Sequence, residues 1–361
     1  MDIVEADKTL MKRALELAQR GAGMVSPNPM VGAVLVKDGR IVGEGYHRYD
    51  LLKHGETYAI EMAGKQARGS TLYCNLEPCC HLGRTPPCTD ALIEAGIARA
   101  VIATKDPFSR VSGRGLEQLR AAGIEVEVGL CEEEALRLNE TYFKFVTVDT
   151  PFIHGVIEYP GDELGSLRGW MPSRGFIAAA AEYDAIVLSS RTELNSLLID
   201  NRLGGQHHRP PVIVGTADLL ARYDAIKRET DEDLTLINLS LASSEILRDA
   251  GKPAGVFEEA SNAPVNRLSG AQRELGSLLE ALARISVTSV LLLPGVIDPS
   301  APKSFEQLDK LTLAVPGSKG KDATATRLAF ADLEFDLEEV SVAEAEGYTE
   351  FTGYPSFREV A

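Results

Sequence analysis

No apolar run in this chain of 361 residues reaches the length a membrane helix needs. The opening stretch, Met1 to Lys8, is acidic and lacks the apolar core of a signal peptide. A cytoplasmic protein is therefore expected. Positive charge is also scarce, with 37 Lys+Arg against 53 Asp+Glu and a net charge of −16. Residues 1–150 carry 18 basic and 21 acidic side chains; residues 151–361 carry 19 and 32. Such a chain has no electrostatic footprint for a phosphate polymer, which argues against nucleic acid as substrate. A small phosphorylated metabolite needs only one local cationic pocket and is not excluded. Cysteine is sparse, and four of the five lie between 74 and 88. That clustering does not suit a disulfide framework and, in a reducing compartment, points to metal binding. Internal repeats and low-complexity segments are absent. What remains is ordinary globular protein, 44% hydrophobic and 25% charged, long enough for two domains.

The periodicity predicts an α/β layer fold in the first half. Leu10, Met11, Ala14, Leu15 and Ala18 recur at helical spacing over 7–21. Val31–Val36 and Ile41–Tyr46 flank an Asp38-Gly39 turn and read as a β-hairpin. A helix is expected from His54 to about Ala67, then a strand over Thr71–Leu76. Helix Thr89–Ala95, strand Ala98–Thr104, helix Leu116–Ala122 and strand Ile124–Val128 follow, and a closing helix spans 133–145. Val146–Pro151 is the candidate boundary. Beyond it, Ala185–Ser189, Pro211–Val214, Leu234–Asn238 and Ser289–Leu293 read as buried parallel strands of a second α/β domain. The acidic tail from about 320 shows no clear period and is left unplaced.

The chemistry concentrates in His54-Gly55-Glu56 and in Leu76-Glu77-Pro78-Cys79-Cys80-His81-Leu82-Gly83-Arg84-Thr85-Pro86-Pro87-Cys88. One imidazole and two thiolates, from His54, Cys79 and Cys88, can hold zinc in three positions and leave the fourth for water, as a catalytic site requires. Glu56 lies two residues from a ligand and is placed to move protons. His-x-Glu followed by Pro-Cys is the order found in zinc deaminases, where ring amines are displaced by water. The competing reading is four residues scattered by chance, with the thiols simply buried. The cysteine spacing also differs from the common Pro-Cys-x-x-Cys, since Cys79 and Cys88 are nine apart. Cys80 adjoins Cys79 and cannot easily share its metal, so it reads as a small buried residue. Cys74 and Cys131 read as structural.

These stretches, with Ser26-Pro27-Asn28-Pro29-Met30-Val31-Gly32, Gly45-Tyr46-His47 and Val111-Ser112-Gly113-Arg114-Gly115, closely resemble the riboflavin-biosynthesis deaminase/reductase family. The resemblance is dense over about 5–150 and weak beyond. It implies a cytidine-deaminase-like three-layer α/β/α domain over 1–148. A reductase-like, dihydrofolate-reductase-like α/β domain would occupy 149–361. The implied reaction is hydrolytic deamination of 2,5-diamino-6-ribosylamino-4(3H)-pyrimidinone 5′-phosphate to 5-amino-6-ribosylamino-uracil 5′-phosphate. By position, His54, Cys79 and Cys88 match the family's zinc ligands, and Glu56 its proton shuttle. Asn28, His47, His81, Arg84 and Asp106 match its substrate-contacting positions. The cofactor implied is Zn2+, with NADPH only if the second domain is active. The partners implied are a small phosphorylated pyrimidine and further copies of the chain, as a homodimer or higher homo-oligomer.

Two departures lie in the first half. Gly55 stands where the family has Ala, a small loss of helix propensity, and Phe108 stands where it has Asn. The second half departs further. Val156 replaces a lysine, and at most Asp162 survives from the Ser-Leu-Asp-Gly that follows it. Thr192 is followed by Glu193-Leu194-Asn195 without the family's acidic pair. Leu293-Pro294-Gly295 replaces Glu-Gly-Gly, and Pro294 has no N–H to offer a dinucleotide. Gly204-Gly205 reads as loop. The second domain is therefore expected to be a reductase relic serving dimerisation or stability. The alternatives are a bifunctional enzyme, a deaminase of a related aminopyrimidine, and a non-catalytic protein with structural zinc. The intact Glu56 argues against the last.

Overall fold

A computed structural model describes residues 3–83, 85–109, 111–158, 170–188, 192–203, 212–215, 220, 235–238, 270–294, 296, 306–316, 335–345 and 348–357. The chain packs as two compact units, one through Asp149 and the other from Thr150.

In the first unit α1 (Ile3–Gln19) precedes a hairpin of β1 (Gly32–Lys37) and β2 (Arg40–Tyr46). The turn places Asp38 and Gly39 at positive φ, 50° and 73°, which suits the twist of a tight hairpin. Then come α2 (Gly55–Ala63), β3 (Thr71–Leu76), α3 (Cys88–Ala95), β4 (Arg99–Thr104), α4 (Arg114–Ala121), β5 (Glu125–Val128), α5 (Glu132–Leu138) and α6 (Glu140–Val148). The strands pair in the order β2-β1-β3-β4-β5. β1 is antiparallel to β2 and β3, while β3, β4 and β5 run parallel. Alternation along the strands fills two cores. On one face Ala33, Leu35, Leu72, Leu76 and Ile102 meet Ala59 and Ala63 of α2, Leu92 of α3, and Leu116 and Leu119 of α4. On the other, Val34, Tyr73, Val101 and Ala103 meet Met11, Ala14 and Leu17 of α1 and Ala135 of α5. Each fully buried Leu, Ile or Met contributes roughly 1.5–3 kcal/mol of transfer free energy. The result is the expected three-layer α/β/α arrangement.

Local departures from the sequence expectation have physical causes. The helix expected to reach Ala67 ends as an α-helix at Ala63 and finishes as a 3₁₀ turn, because Gly64 takes φ 53°. The closing helix breaks into α5 and α6 at Asn139 (φ −109°, ψ 24°), whose side chain bonds the Met30 backbone instead of facing solvent. The segment from Val146 to Val148, read as part of the boundary, still belongs to α6.

The second unit holds β6 (Phe152–Glu158), α7 (Arg174–Ala180), β7 (Ala185–Val187), α8 (Thr192–Leu203), β8 (Val212–Gly215) and β9 (Thr235–Asn238). It continues with α9 (Gly270–Arg284), β10 (Ser289–Leu292), β11 (Lys310–Pro316), β12 (Phe335–Ala345) and β13 (Tyr348–Phe357). Among the described residues the strands order β12-β13-β11-β6-β10-β7-β8-β9. From β11 to β9 every pairing is parallel; β13 joins antiparallel to β11 and to β12. Leu278, Leu282 and Ile285 from α9 cover Val290, Leu292 and Leu313 on one face. Phe176, Leu194 and Leu198 from α7 and α8 cover Ile186, Leu291 and Ala314 on the other. The unplaced acidic tail thus supplies the antiparallel edge of this sheet.

Candidate metal centre

The centre forms where two helices begin. His54 is the N-cap of α2, with extended backbone (φ −79°, ψ 156°). It is set there by close packing of α2 on β2. A Cβ on Gly43 would fall 2.1 Å from the Ala59 carbonyl oxygen, and one on Gly45 2.2 Å from that of Gly55. Gly55 shares this role: a Cβ there would lie 3.0 Å from the Val31 carbonyl oxygen. The helix propensity lost at Gly55 is therefore offset, because the absence of a Cβ permits this contact. Cys88 is the first residue of α3, after Pro87 with φ −57°. Cys79 lies in the turn after β3. The amides of Cys88 and Thr89, at the start of α3, donate to Cys79 Sγ at 3.3 Å and to the Cys79 carbonyl at 3.1 Å.

These elements bring the three predicted ligands together. His54 Nδ1 lies 3.2 Å from Cys88 Sγ and 3.5 Å from Cys79 Sγ, and one donor atom from each residue falls within 4.8 Å of the others. Donors bound tetrahedrally at zinc distances stand roughly 3.5 Å apart, so the set fits the ion. The Cys88 thiol and the His54 ring hold Cys79 well below the usual thiol range against the effect of burial. Cys88 is pushed up by the neighbouring Cys79 and by burial. Burial pulls His54 down, but the Cys79 thiolate and the Glu56 carboxylate outweigh it and leave it raised. The second ring nitrogen of His54, Nε2, faces Thr85 Oγ1 at 3.4 Å. Glu56, in the first turn of α2, is buried. Its Oε2 has no hydrogen-bond partner among the described residues, and burial raises its pKa. A buried carboxylate oxygen without a partner is costly unless a ligand satisfies it. That orphan oxygen, beside a His/Cys/Cys donor set, fits a metal with a water on it.

Other predicted residues gather around this trio to different degrees. The His47 ring is buried, 5.2 Å from the His54 ring, and its Nδ1 lies 3.2 Å from the Pro29 carbonyl. Asn28 immediately precedes Pro29, in the loop that this contact ties to the centre. His81 stands edge-on to Phe108 at 5.9 Å, and its buried Nδ1 has no partner among the described residues. Asp106 is buried and accepts from the Phe108 amide at 2.9 Å and the Tyr142 hydroxyl at 3.0 Å. Burial raises it to about 6, against the pull of those two donors. Arg84 lies outside the described residues, as do Asp162, Gly204 and Gly205.

Several supporting residues escaped the sequence reading. Asn75 Oδ1 accepts the Gly32 amide at 2.8 Å, and its Nδ2 donates to the Met30 carbonyl at 3.0 Å. Asn139 holds the same Met30 from the other side. Glu77 is buried and accepts backbone amides around the start of α4. A polar Asn75 inside an otherwise apolar β3, and a charged Glu77 at its end, were the available signals.

Residues 4–104 match the family model described as the cytidine and deoxycytidylate deaminase zinc-binding region. The riboflavin biosynthesis protein RibD of Aquifex aeolicus is 56% identical over 151 residues, 42% of this chain and 42% of that protein. The chloroplastic riboflavin biosynthesis protein PYRD of Zea mays is 34% identical over 296 residues, 79% of this chain and 70% of that one. The chain belongs to this family of riboflavin-biosynthesis proteins. A Thermotoga maritima crystal structure, named as a diaminohydroxyphosphoribosylaminopyrimidine deaminase/5-amino-6-(5-phosphoribosylamino)uracil reductase, is 30% identical. It covers 98% of this chain and 100% of its own, with a TM-score of 0.69. Against family members matched above 50% identity, the chain spans about two-fifths of their length. The family-model match, residues 4–104, lies in the unit that carries the metal centre. In the second unit Val156 is fully buried in an apolar cluster with Trp170 and Phe176.

Proposed function

We propose that the chain is a zinc-dependent hydrolase that deaminates 2,5-diamino-6-ribosylamino-4(3H)-pyrimidinone 5′-phosphate to 5-amino-6-ribosylamino-uracil 5′-phosphate. The observation that carries this reading is the His54–Cys79–Cys88 donor set with the unpartnered Glu56 Oε2 beside it. His54, Cys79 and Cys88 would hold the zinc, which would supply the Lewis acidity for attack of a water on the ring carbon bearing the amine. Glu56 takes a proton at Oε2 and returns it to the departing amine. Burial raises the Glu56 carboxyl above its ordinary value, which strengthens it as the base that takes this proton. In this reading Asn28, in the loop at 26–31, and His47, whose Nδ1 lies 3.2 Å from the Pro29 carbonyl of that loop, contact the substrate together with His81 and Asp106, and Arg84 serves the 5′-phosphate.

The catalytic domain in this reading is 1–148. Residues 149–361 form a reductase-like domain without ribose reduction, kept for assembly into a homodimer or higher homo-oligomer or for stability. Buried Val156 supports that view, since an apolar side chain there offers a dinucleotide no charge. No helix among the described residues is long and apolar enough to cross a membrane. A cytoplasmic location belongs to the same reading, since clustered cysteines in a reducing compartment serve a metal more often than a disulfide framework.

The decisive assay is ammonia release from the phosphorylated diaminopyrimidine, with and without NADPH, and the mass of the product. Release independent of NADPH, with the ribose intact, is expected. NADPH oxidation with the deaminated product would overturn the relic assignment. Glu56→Gln should keep its zinc and lose ammonia release; full activity in that variant would remove the proton-shuttle role.

A further inference from the structure

Glu77 stands directly before Pro78-Cys79, and its carboxylate is buried. Oε2 accepts the amides of Gly113 at 2.9 Å and Asp106 at 3.3 Å; Oε1 accepts those of Gly115 at 2.9 Å and Leu116 at 3.4 Å. Its own amide donates to the Thr104 carbonyl at 3.0 Å. One side chain thus joins the turn that carries Cys79, the loop that carries Asp106 and Phe108, and the first turn of α4. The amides at a helix start are orphans within the helix, and a carboxylate there also meets the positive end of the helix dipole. The fit is close on the backbone side too. A Cβ on Gly115 would fall 2.3 Å from the Pro78 carbonyl oxygen, so α4 rests on the residue next to Cys79.

We infer that Glu77 is a positioning residue for the metal centre: it fixes the Cys79 turn and the Asp106 loop as one unit. The inference rests on the zinc reading above. It does not place Glu77 on the metal or on the substrate. A neutral amide in its place points an NH2 at amides that need an acceptor, and frees the Cys79 turn from α4. Groups that orient metal ligands change metal affinity or activity by about 10–100-fold when removed. Coupling of this kind is reciprocal, so zinc must also steady the amides that Glu77 receives.

The test uses the full chain and two readouts besides activity. Zinc affinity is measured by competition with a chromophoric chelator for wild type, Glu77→Gln and Asp184→Asn. Asp184 is a buried carboxylate of the second unit that accepts the Thr288 amide at 2.7 Å, and it controls for general loss of stability. Glu77→Gln is expected to lose about tenfold or more in affinity, and to shift the thiolate-to-metal absorption of the cobalt form; Asp184→Asn is expected to change neither. Equal affinity and spectrum in wild type and Glu77→Gln would overturn the inference. If Glu77→Gln does not fold, amide exchange of the wild type decides. Stripping zinc must speed exchange at Gly113 and Gly115, and unchanged exchange there overturns the inference. Wild type that binds no zinc would sink the proposed function as well; zinc-binding wild type with an unaffected variant would sink this inference alone.

Discussion

Asn139 Oδ1 accepts the Met30 amide at 2.8 Å, and its Nδ2 donates back to the Met30 carbonyl at 2.9 Å. The two residues are 109 positions apart, and the bond pair interrupts the helix that would otherwise run through Asn139. Asn75 shares the same carbonyl. The loop with Asn28 and Pro29 therefore hangs from two buried amides. Asn139→Ala should cost about 1–3 kcal/mol, the usual penalty for stripping a buried backbone group of its partner. Since the loop carries an expected substrate contact and not a metal ligand, KM should rise more than kcat falls, and zinc content should stay at the wild-type level. Urea unfolding and steady-state kinetics check this. An unchanged KM alongside the stability loss would detach the loop from substrate binding.

The close approach of α2 to β2 leads to a second prediction. Gly45→Ala puts a methyl where the Gly55 carbonyl oxygen is 2.2 Å away and the Ala59 amide nitrogen 2.8 Å away. Neither backbone group can yield without moving α2. Overpacking of this kind costs about 1–3 kcal/mol or more. Here the helix that must move begins next to His54, so zinc stoichiometry should fall with stability. Gly39→Ala is the comparison. It sits at φ 73° with open space around it, so it meets only the strain of a left-handed residue, about 1–2 kcal/mol. It should keep full zinc. Metal analysis of both purified variants separates the two effects; a zinc-replete Gly45→Ala protein would show that α2 does not set the position of His54.

How much of this was legible in the sequence varies with the range of the interactions. His54, Glu56, Cys79 and Cys88 could be read because their chemistry is local to two short stretches. The strands of the first unit could be read because apolar alternation is a property of each strand alone. β6 and β11 were missed for the opposite reason. His154, Gly155 and Thr312 interrupt their apolar runs, and the buried pairing that satisfies them is remote: His154 Nε2 lies 2.8 Å from Thr312 Oγ1 across 158 residues. β13 hid in the acidic tail because Glu350, buried within it, finds Trp170 Nε1 and the Ser173 amide and hydroxyl 180 and 177 residues away. Glu77, Asn75 and Asn139 share this character. Their partners are backbone groups of distant segments, and no side-chain pattern announces a backbone partner.

His154 leads to the last prediction, which concerns the second unit alone. Its ring is buried in β6, with Nδ1 2.7 Å from the Tyr183 hydroxyl and Nε2 2.8 Å from Thr312 Oγ1. Burial, helped by the charge of Lys310, holds its pKa down to about 3. The unfolded chain binds a proton near pH 6.5, so between about 6.5 and 3 the unfolded state carries the extra proton. Stability from this group is therefore full above pH 6.5 and is lost as pH falls toward 3. The loss amounts to a few kcal/mol at most, at about 1.4 kcal/mol per pH unit of displacement. The chain contains one tryptophan, and it reports on this unit: Trp170 is buried and stands edge-on to Phe176 at 5.6 Å, which in turn stands edge-on to His154 at 6.0 Å. Urea midpoints followed by Trp170 fluorescence should fall steadily from pH 6.5 to pH 4.5 in the wild type. His154→Gln, which does not titrate, should be less stable at pH 7 but follow a flatter line into acid. Parallel slopes for the two proteins would assign the acid sensitivity to other groups and leave His154 as a packing residue.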